Sequence, residues 1–180
     1  MQSVALHRTT LRDVSLVILA SFVICLSGQI SIPLWFTPVP LATQNSTVLL
    51  MAALLGARRG TAATFAFLAQ GAMGLPVFSN GAAGLHTFAG PTGGYLIGYL
   101  IAAFVVGSIA ERKNSTANLG LALTMGNLII YFFGASYLAT FVGINKAFAL
   151  GIAPFLMGDF AKWLVSLKVL QWKKKVSNIA

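Results

Sequence analysis

The stretch LLMAALLGARRGTAATFAF, Leu49–Phe67, sets two glycine-flanked arginines between two uncharged, largely apolar runs. Charges at the middle of a hydrocarbon layer are expensive, so the arginine side chains must reach headgroups or water. GARRG, Gly56–Gly60, therefore reads as a tight turn joining two short spans, about 41–57 and 60–75. On either side, other apolar runs approach the roughly 20 residues that cross a bilayer. They place further spans at about 14–31, 92–110, 118–142 and 147–169. The N-terminal segment has the basic and then apolar order of a signal peptide. No small-residue cleavage pattern closes it, and it is read as a first transmembrane helix.

Composition agrees with that reading. The 180 residues are 57% hydrophobic and 8% charged, whereas about a quarter of the residues of a soluble protein are charged. The expected fold is an all-α integral membrane protein, a single transmembrane domain over 1–180 with six transmembrane helices. Twelve Lys and Arg against three Asp and Glu give a net charge of +9, but the basic residues gather in short segments between spans. With a cytoplasmic N-terminus, the inner segments hold Arg8, Arg12, Arg58, Arg59, Arg112, Lys113, Lys168, Lys173, Lys174 and Lys175, and the outer ones only Lys146. By the positive-inside rule both termini are cytoplasmic, and the charge speaks to topology rather than to nucleic acid. The outer side then carries two uncharged loops, SIPLWFTPVP (Ser31–Pro40) and GLPVFSNGAAGLHTFAGPTGG (Gly74–Gly94). Irregular backbone is not tolerated against lipid, so these loops are expected to wall a site or form its lid.

Few residues can carry chemistry. Asp13 and Glu111 sit at span edges beside basic residues, while Asp159, in APFLMGDFAKWLVSLK, falls inside span six with Lys162 one turn further on. A straight helix from Lys146 would put Asp159 about 20 Å from the outer edge at roughly 1.5 Å per residue. The i, i+3 spacing places acid and base on one face, where they neutralise each other or share a polar ligand. Pro154 and Gly158 are positioned to bend the helix there. Gln44, Asn80 and Tyr95 are polar candidates near the outer side, and Asn127, Tyr131 and Tyr137 are cavity candidates in span five whose facing is open. Trp35, Phe78 and Phe88 are candidates for an apolar lid or for interfacial anchors. The single cysteine, Cys25, allows neither an intrachain disulfide nor a cysteine metal site. There is no Gly-Lys dipeptide, hence no Walker-type phosphate loop, and no metal cluster or recognisable nucleophile arrangement; no cofactor is expected.

The series QISIPL, TPVPLATQ, LLGARRG, GLPVF, GPTGGYL and PFLMGDFAK, running in order from Gln29 to Lys162, resembles the BioY family, the biotin-binding membrane subunits of energy-coupling factor (ECF) importers. The resemblance implies a six-helix subunit that captures biotin from outside, with a transmembrane scaffold and cytoplasmic ATPases as partners and no enzymatic activity of its own. It implies ligand contacts from Asp159, Lys162 and Asn80, with Gln44 and Tyr95 at further motif positions. It also implies docking on the scaffold through small residues of helix one, here Ser21 and Cys25 in place of two alanines; Ala42 stands where the family commonly has Thr. Biotin offers two ureido N–H donors, one C=O acceptor, an apolar ring and a carboxylate. A carboxylate with an amide suits the ureido edge. The alternatives are a solitary biotin carrier working without ATPase and, more remotely, an intramembrane enzyme using Asp159.

Overall fold

The computed structural model describes residues 2–112 and 115–177. Lys113, one of the counted inner charges, lies outside the described residues, as does the side chain of Arg8. The helices are α1 (Gln2–Gly28), α2 (Gln44–Ala72), α3 (His86–Ala89), α4 (Gly93–Arg112), α5 (Thr116–Val142), α6 (Ile144–Gly151) and α7 (Leu156–Ser177). Two short strands, β1 (Ser31–Ile32) and β2 (Leu41–Ala42), pair antiparallel, Ser31 with Ala42 and Ile32 with Leu41.

The turn expected at GARRG is made by one residue, Gly56, whose φ of 84° and ψ of 177° interrupt α2. Glycine alone takes that φ without a steric penalty. Drawn straight, 29 residues would separate the ends of α2 by about 43 Å at 1.5 Å per residue. Instead Gln44 Nε2, at its start, donates to the Val77 carbonyl just beyond its end at 2.9 Å. Gly60 also packs so closely on Ala52 that an added Cβ would lie 2.6 Å from the Ala52 Cα. Element α2 is thus a hairpin of two arms, 44–55 and 57–72, and Arg58 and Arg59 sit in the first turn of the second arm, both exposed. Five segments are long and apolar enough to cross a membrane, α2 among them. Its doubling makes six passes among the described residues.

Charged partners cluster at one end of the bundle. Arg59 pairs with Asp13 at 2.8 Å, the Ala57 N–H donates to Glu111 Oε1 at 3.1 Å, and Lys173 Nζ donates to the Leu54 carbonyl at 2.8 Å. A carboxylate thus meets the N-terminus of the second arm and an ammonium the C-terminus of the first, as the helix dipoles favour. The other end is closed by the two uncharged loops. Between them Ile24, Leu49, Phe67, Ala102, Val106 and Leu123 form a buried core, while Phe22, Phe104, Phe132 and Phe160 are exposed around it. An apolar outer surface of that kind suits a hydrocarbon solvent.

The last expected span, 147–169, is not one straight helix. Ile152 leaves the helical region (φ −128°, ψ −58°), a 3-10 turn follows at Ala153–Phe155, and α7 starts at Leu156. The cause is Pro154, which has no N–H for the carbonyl of Leu150. That carbonyl accepts from Thr37 Oγ1 at 2.7 Å, and the next one, of Gly151, accepts from the Tyr95 hydroxyl at 2.7 Å. These two carbonyls at the α6 terminus are therefore satisfied by side chains. Asp159 consequently lies in the first turn of α7, beneath the two uncharged loops, and not 20 Å down a continuous helix.

Candidate functional site

Asp159 is 5% exposed and is reached from three helices. Asn45 Nδ2, in the first turn of α2, donates to Oδ2 at 2.8 Å, and the Tyr131 hydroxyl of α5 donates to the same oxygen. Lys162 Nζ, on α7 itself, donates to Oδ1 at 2.7 Å and to the Ala42 carbonyl of β2 at 2.6 Å. An isolated buried charge would cost several kcal/mol. Here the carboxylate has a cation and two neutral donors, and it sits at the positive end of the α7 dipole. Asp159, Asn45 and Tyr131 line a cavity of ≈ 50 Å³ together with Val39 and Pro40 of the first loop, Ser79 of the second, and Tyr95, Tyr99 and Phe155.

The two loops over this cavity are joined to each other. Ser31 Oγ donates to Asn80 Oδ1 at 2.7 Å and accepts from the Asn80 N–H at 2.8 Å, and Gln29 Nε2 donates to the Pro76 carbonyl at 2.8 Å. Asn80 takes the left-handed conformation (φ 60°), which asparagine tolerates better than most residues. Beneath the second loop, Phe78 is wedged edge-to-face between Phe67 and Phe88, with centroids 5.4 and 5.6 Å apart.

With acid, base, amide and hydroxyl gathered under a two-loop cap, the fold invites comparison with known proteins. The sequence profile of the BioY family matches residues 1–178. This chain belongs to the BioY family. Among its relatives are the biotin transporter BioY of Rhizobium etli, 39% identical and covering 86% of this chain and 89% of that protein, and that of Thermotoga maritima, 41% identical over 85% and 90%. A probable biotin transporter BioY from Pyrococcus horikoshii is 38% identical over 84% and 89%. In three dimensions the chain is similar to the crystal structure of the S-component for biotin from an ECF-type ABC transporter, with a TM-score of 0.85 and 26% identity over 93% of both chains. It is thus a membrane protein of the S-component fold.

Within this BioY chain the expected site residues separate. Asp159 lines the cavity, Lys162 pairs with it from outside the lining, and Tyr131 of the span-five candidates joins them. Asn127 donates to its own helix at Leu123, and Tyr137 meets Phe141 edge-on. Gln44 is buried with its amide spent on Val77, Ile24 and Ser79, so it ties α1 and the second loop to α2. Tyr95 shows the cavity its ring while its hydroxyl caps α6. Asn80 is exposed and stands outside the cavity lining, latching the loops. Phe78 and Phe88 anchor the second loop from below, and Trp35, 96% exposed, stands clear of the cavity against Phe36. Ser21 and Cys25 pack inside the bundle. They are 1% and 6% exposed and face the second arm of α2, where Gln70 Nε2 donates to Ser21 Oγ at 2.7 Å and Cys25 Sγ donates to Gln70 Oε1 at 3.5 Å. A scaffold helix cannot reach them without parting α1 from α2.

Asn45 and Tyr99 escape a reading of the sequence. Asn45 follows Gln44 at the start of a helix, where an amide usually serves the backbone. Tyr99 lies one turn beyond Tyr95 within an apolar span, and i, i+4 spacing is the signal that would have put both on one face.

Proposed function

We propose that this chain is the membrane-embedded biotin-binding subunit of an uptake system, coupled to a separate ECF scaffold and ATPase module. The observation that carries the reading is Asp159, buried in the lining of a cavity beneath two uncharged loops and paired with Lys162 at 2.7 Å. Biotin presents donors and an acceptor on its ureido ring together with an apolar body. Asp159 supplies acceptor capacity, the Tyr99 hydroxyl and, behind the lining, the Lys162 ammonium supply donors, and Val39, Ile130 and Phe155 supply apolar wall. The paired charges keep the site near neutral before the ligand arrives.

The distribution of Lys and Arg supports cytoplasmic termini and an outward-facing cap. A cavity of ≈ 50 Å³ suits water molecules rather than a bicyclic acid, so biotin enters when the cap lifts. Because Ser31–Asn80 and Gln29–Pro76 bind the loops together, they move as one lid. The kinship with named biotin transporters supports transport, not catalysis.

Purified protein titrated with a panel of vitamins should bind biotin selectively, and Asp159→Asn or Lys162→Met should weaken that binding at least about 100-fold, since removing one member of a buried pair leaves the other uncompensated. Unchanged affinity in both variants would remove the site assignment. Uptake by cells with and without candidate scaffold and ATPase subunits tests the coupling. Transport that survives their loss identifies a solitary carrier.

A further inference from the structure

The carboxylate of Asp159 dictates which way the amide of Asn45 faces, and so which of its two polar atoms is left without a partner. A carboxylate only accepts, so the NH₂ of Asn45 must face Asp159 Oδ2, 2.8 Å away, and its oxygen must point elsewhere. That oxygen, Asn45 Oδ1, is buried and has no hydrogen-bond partner among the described residues. The residue is 9% exposed and lines the same cavity as Asp159 and Tyr99. Buried amide oxygens ordinarily have a donor. Asp159 is by contrast almost filled, with Asn45, Tyr131 and Lys162 occupying three of about four lone-pair positions.

We infer that Asn45 Oδ1 is the acceptor for one ureido N–H of the ligand, and that Asp159 is the positioning residue that holds the Asn45 amide in this sense. The inference rests on the biotin reading above and assigns the N–H contact within it. It makes Asn45 a specificity residue, because a buried acceptor built for an N–H rejects an analogue that lacks one more strongly than an apolar wall does. The remaining lone pair of Asp159 Oδ1, beside Lys162, stays open to the second N–H.

The test is a chemical double cycle on the purified full chain. Wild type, Asn45→Leu and Asn45→Ala are each titrated with biotin and with the two biotins methylated at one or the other ureido nitrogen. Expected for wild type is a loss of about 10- to 100-fold on methylation of the nitrogen facing Asn45, the worth of a hydrogen bond in a desolvated site. Both substitutions should weaken biotin by a similar factor. Neither should weaken that methylated analogue further, and Asn45→Ala, which opens space for the methyl, should bind it at least as well as wild type does. Should Asn45→Leu fail to fold, Asn45→Ala supplies the comparison without added bulk.

Biotin affinity unchanged in the Asn45 variants, or losses from methylation and substitution that multiply, would overturn the role of Asn45 while leaving the biotin reading in place. Absence of biotin binding by the wild type would instead remove the biotin reading, and the assignment of Asn45 with it.

Discussion

At the scale of the residue, the Asp159–Lys162 pair behaves unlike a surface ion pair. Their side chains are 6% and 21% exposed, so each charge depends on the other and on fixed donors, not on water. Replacing one partner leaves an unmatched buried charge, a loss of about 3–5 kcal/mol in soluble proteins. Replacing both with groups of similar shape removes the unmatched charge altogether. Asp159→Asn or Lys162→Met alone should therefore lower the melting temperature in detergent more than Asp159→Asn with Lys162→Met together, while all three lose biotin. Losses in the double variant that equal the sum of the two single losses would show that the pair is not energetically coupled. The pair was legible in the sequence because ionisable side chains are costly in an apolar segment, and two of opposite sign one turn apart can offset that cost only by meeting each other or a polar ligand. Asn45 was not, since nothing local distinguishes an asparagine that caps a helix from one that faces a cavity across the bundle.

The element with most influence on the site is the break between α6 and α7. Pro154 announces a bend, but the sequence does not say which groups donate to the carbonyls of Leu150 and Gly151 left open there. Thr37 and Tyr95 do so, from 113 and 56 residues away, and these long-range partners convert a bend into a fixed corner that carries Asp159. Tyr95 is thereby a structural residue in the wall of the site. Tyr95→Phe keeps the ring and leaves the Gly151 carbonyl buried without its donor, which costs about 1–3 kcal/mol. The expected outcome is a lower melting temperature with biotin affinity reduced less than tenfold; the reverse pattern would return the hydroxyl to the ligand. The hairpin of α2 was easier to foresee, because Gly56–Gly60 couples a turn former to two charges that cannot stay in hydrocarbon. Ser21 and Cys25 show the opposite case. Small residues at i and i+4 allow close approach of a neighbour, and in this chain the neighbour is the second arm of α2, anchored by Gln70.

For the whole molecule, the basic and uncharged ends define opposite faces of the membrane. In a protein made free of Cys25 by Cys25→Ser, Arg58→Cys should react with an impermeant thiol reagent only from the cytoplasmic side, and Trp35→Cys only from outside. Reaction of Arg58→Cys from outside would invert the topology. The class of fold was legible because it follows from composition and charge placement, which are properties of the chain as a whole. The arrangement of the lid was not, since it depends on contacts such as Ser31 with Asn80 across 49 residues. The two ends also differ in how they meet dissolved ions. The Asp13–Arg59 pair at the α2 turn is nearly half exposed on both sides, within reach of a counterion atmosphere that contracts to about 3 Å at 1 M salt, whereas Asp159 and Lys162 are shielded from it. Ionic strength is therefore a selective handle: high salt should loosen the fastening of the hairpin at the basic end of the bundle and raise the reactivity of a thiol at position 58, while the dissociation constant for biotin should stay where it was.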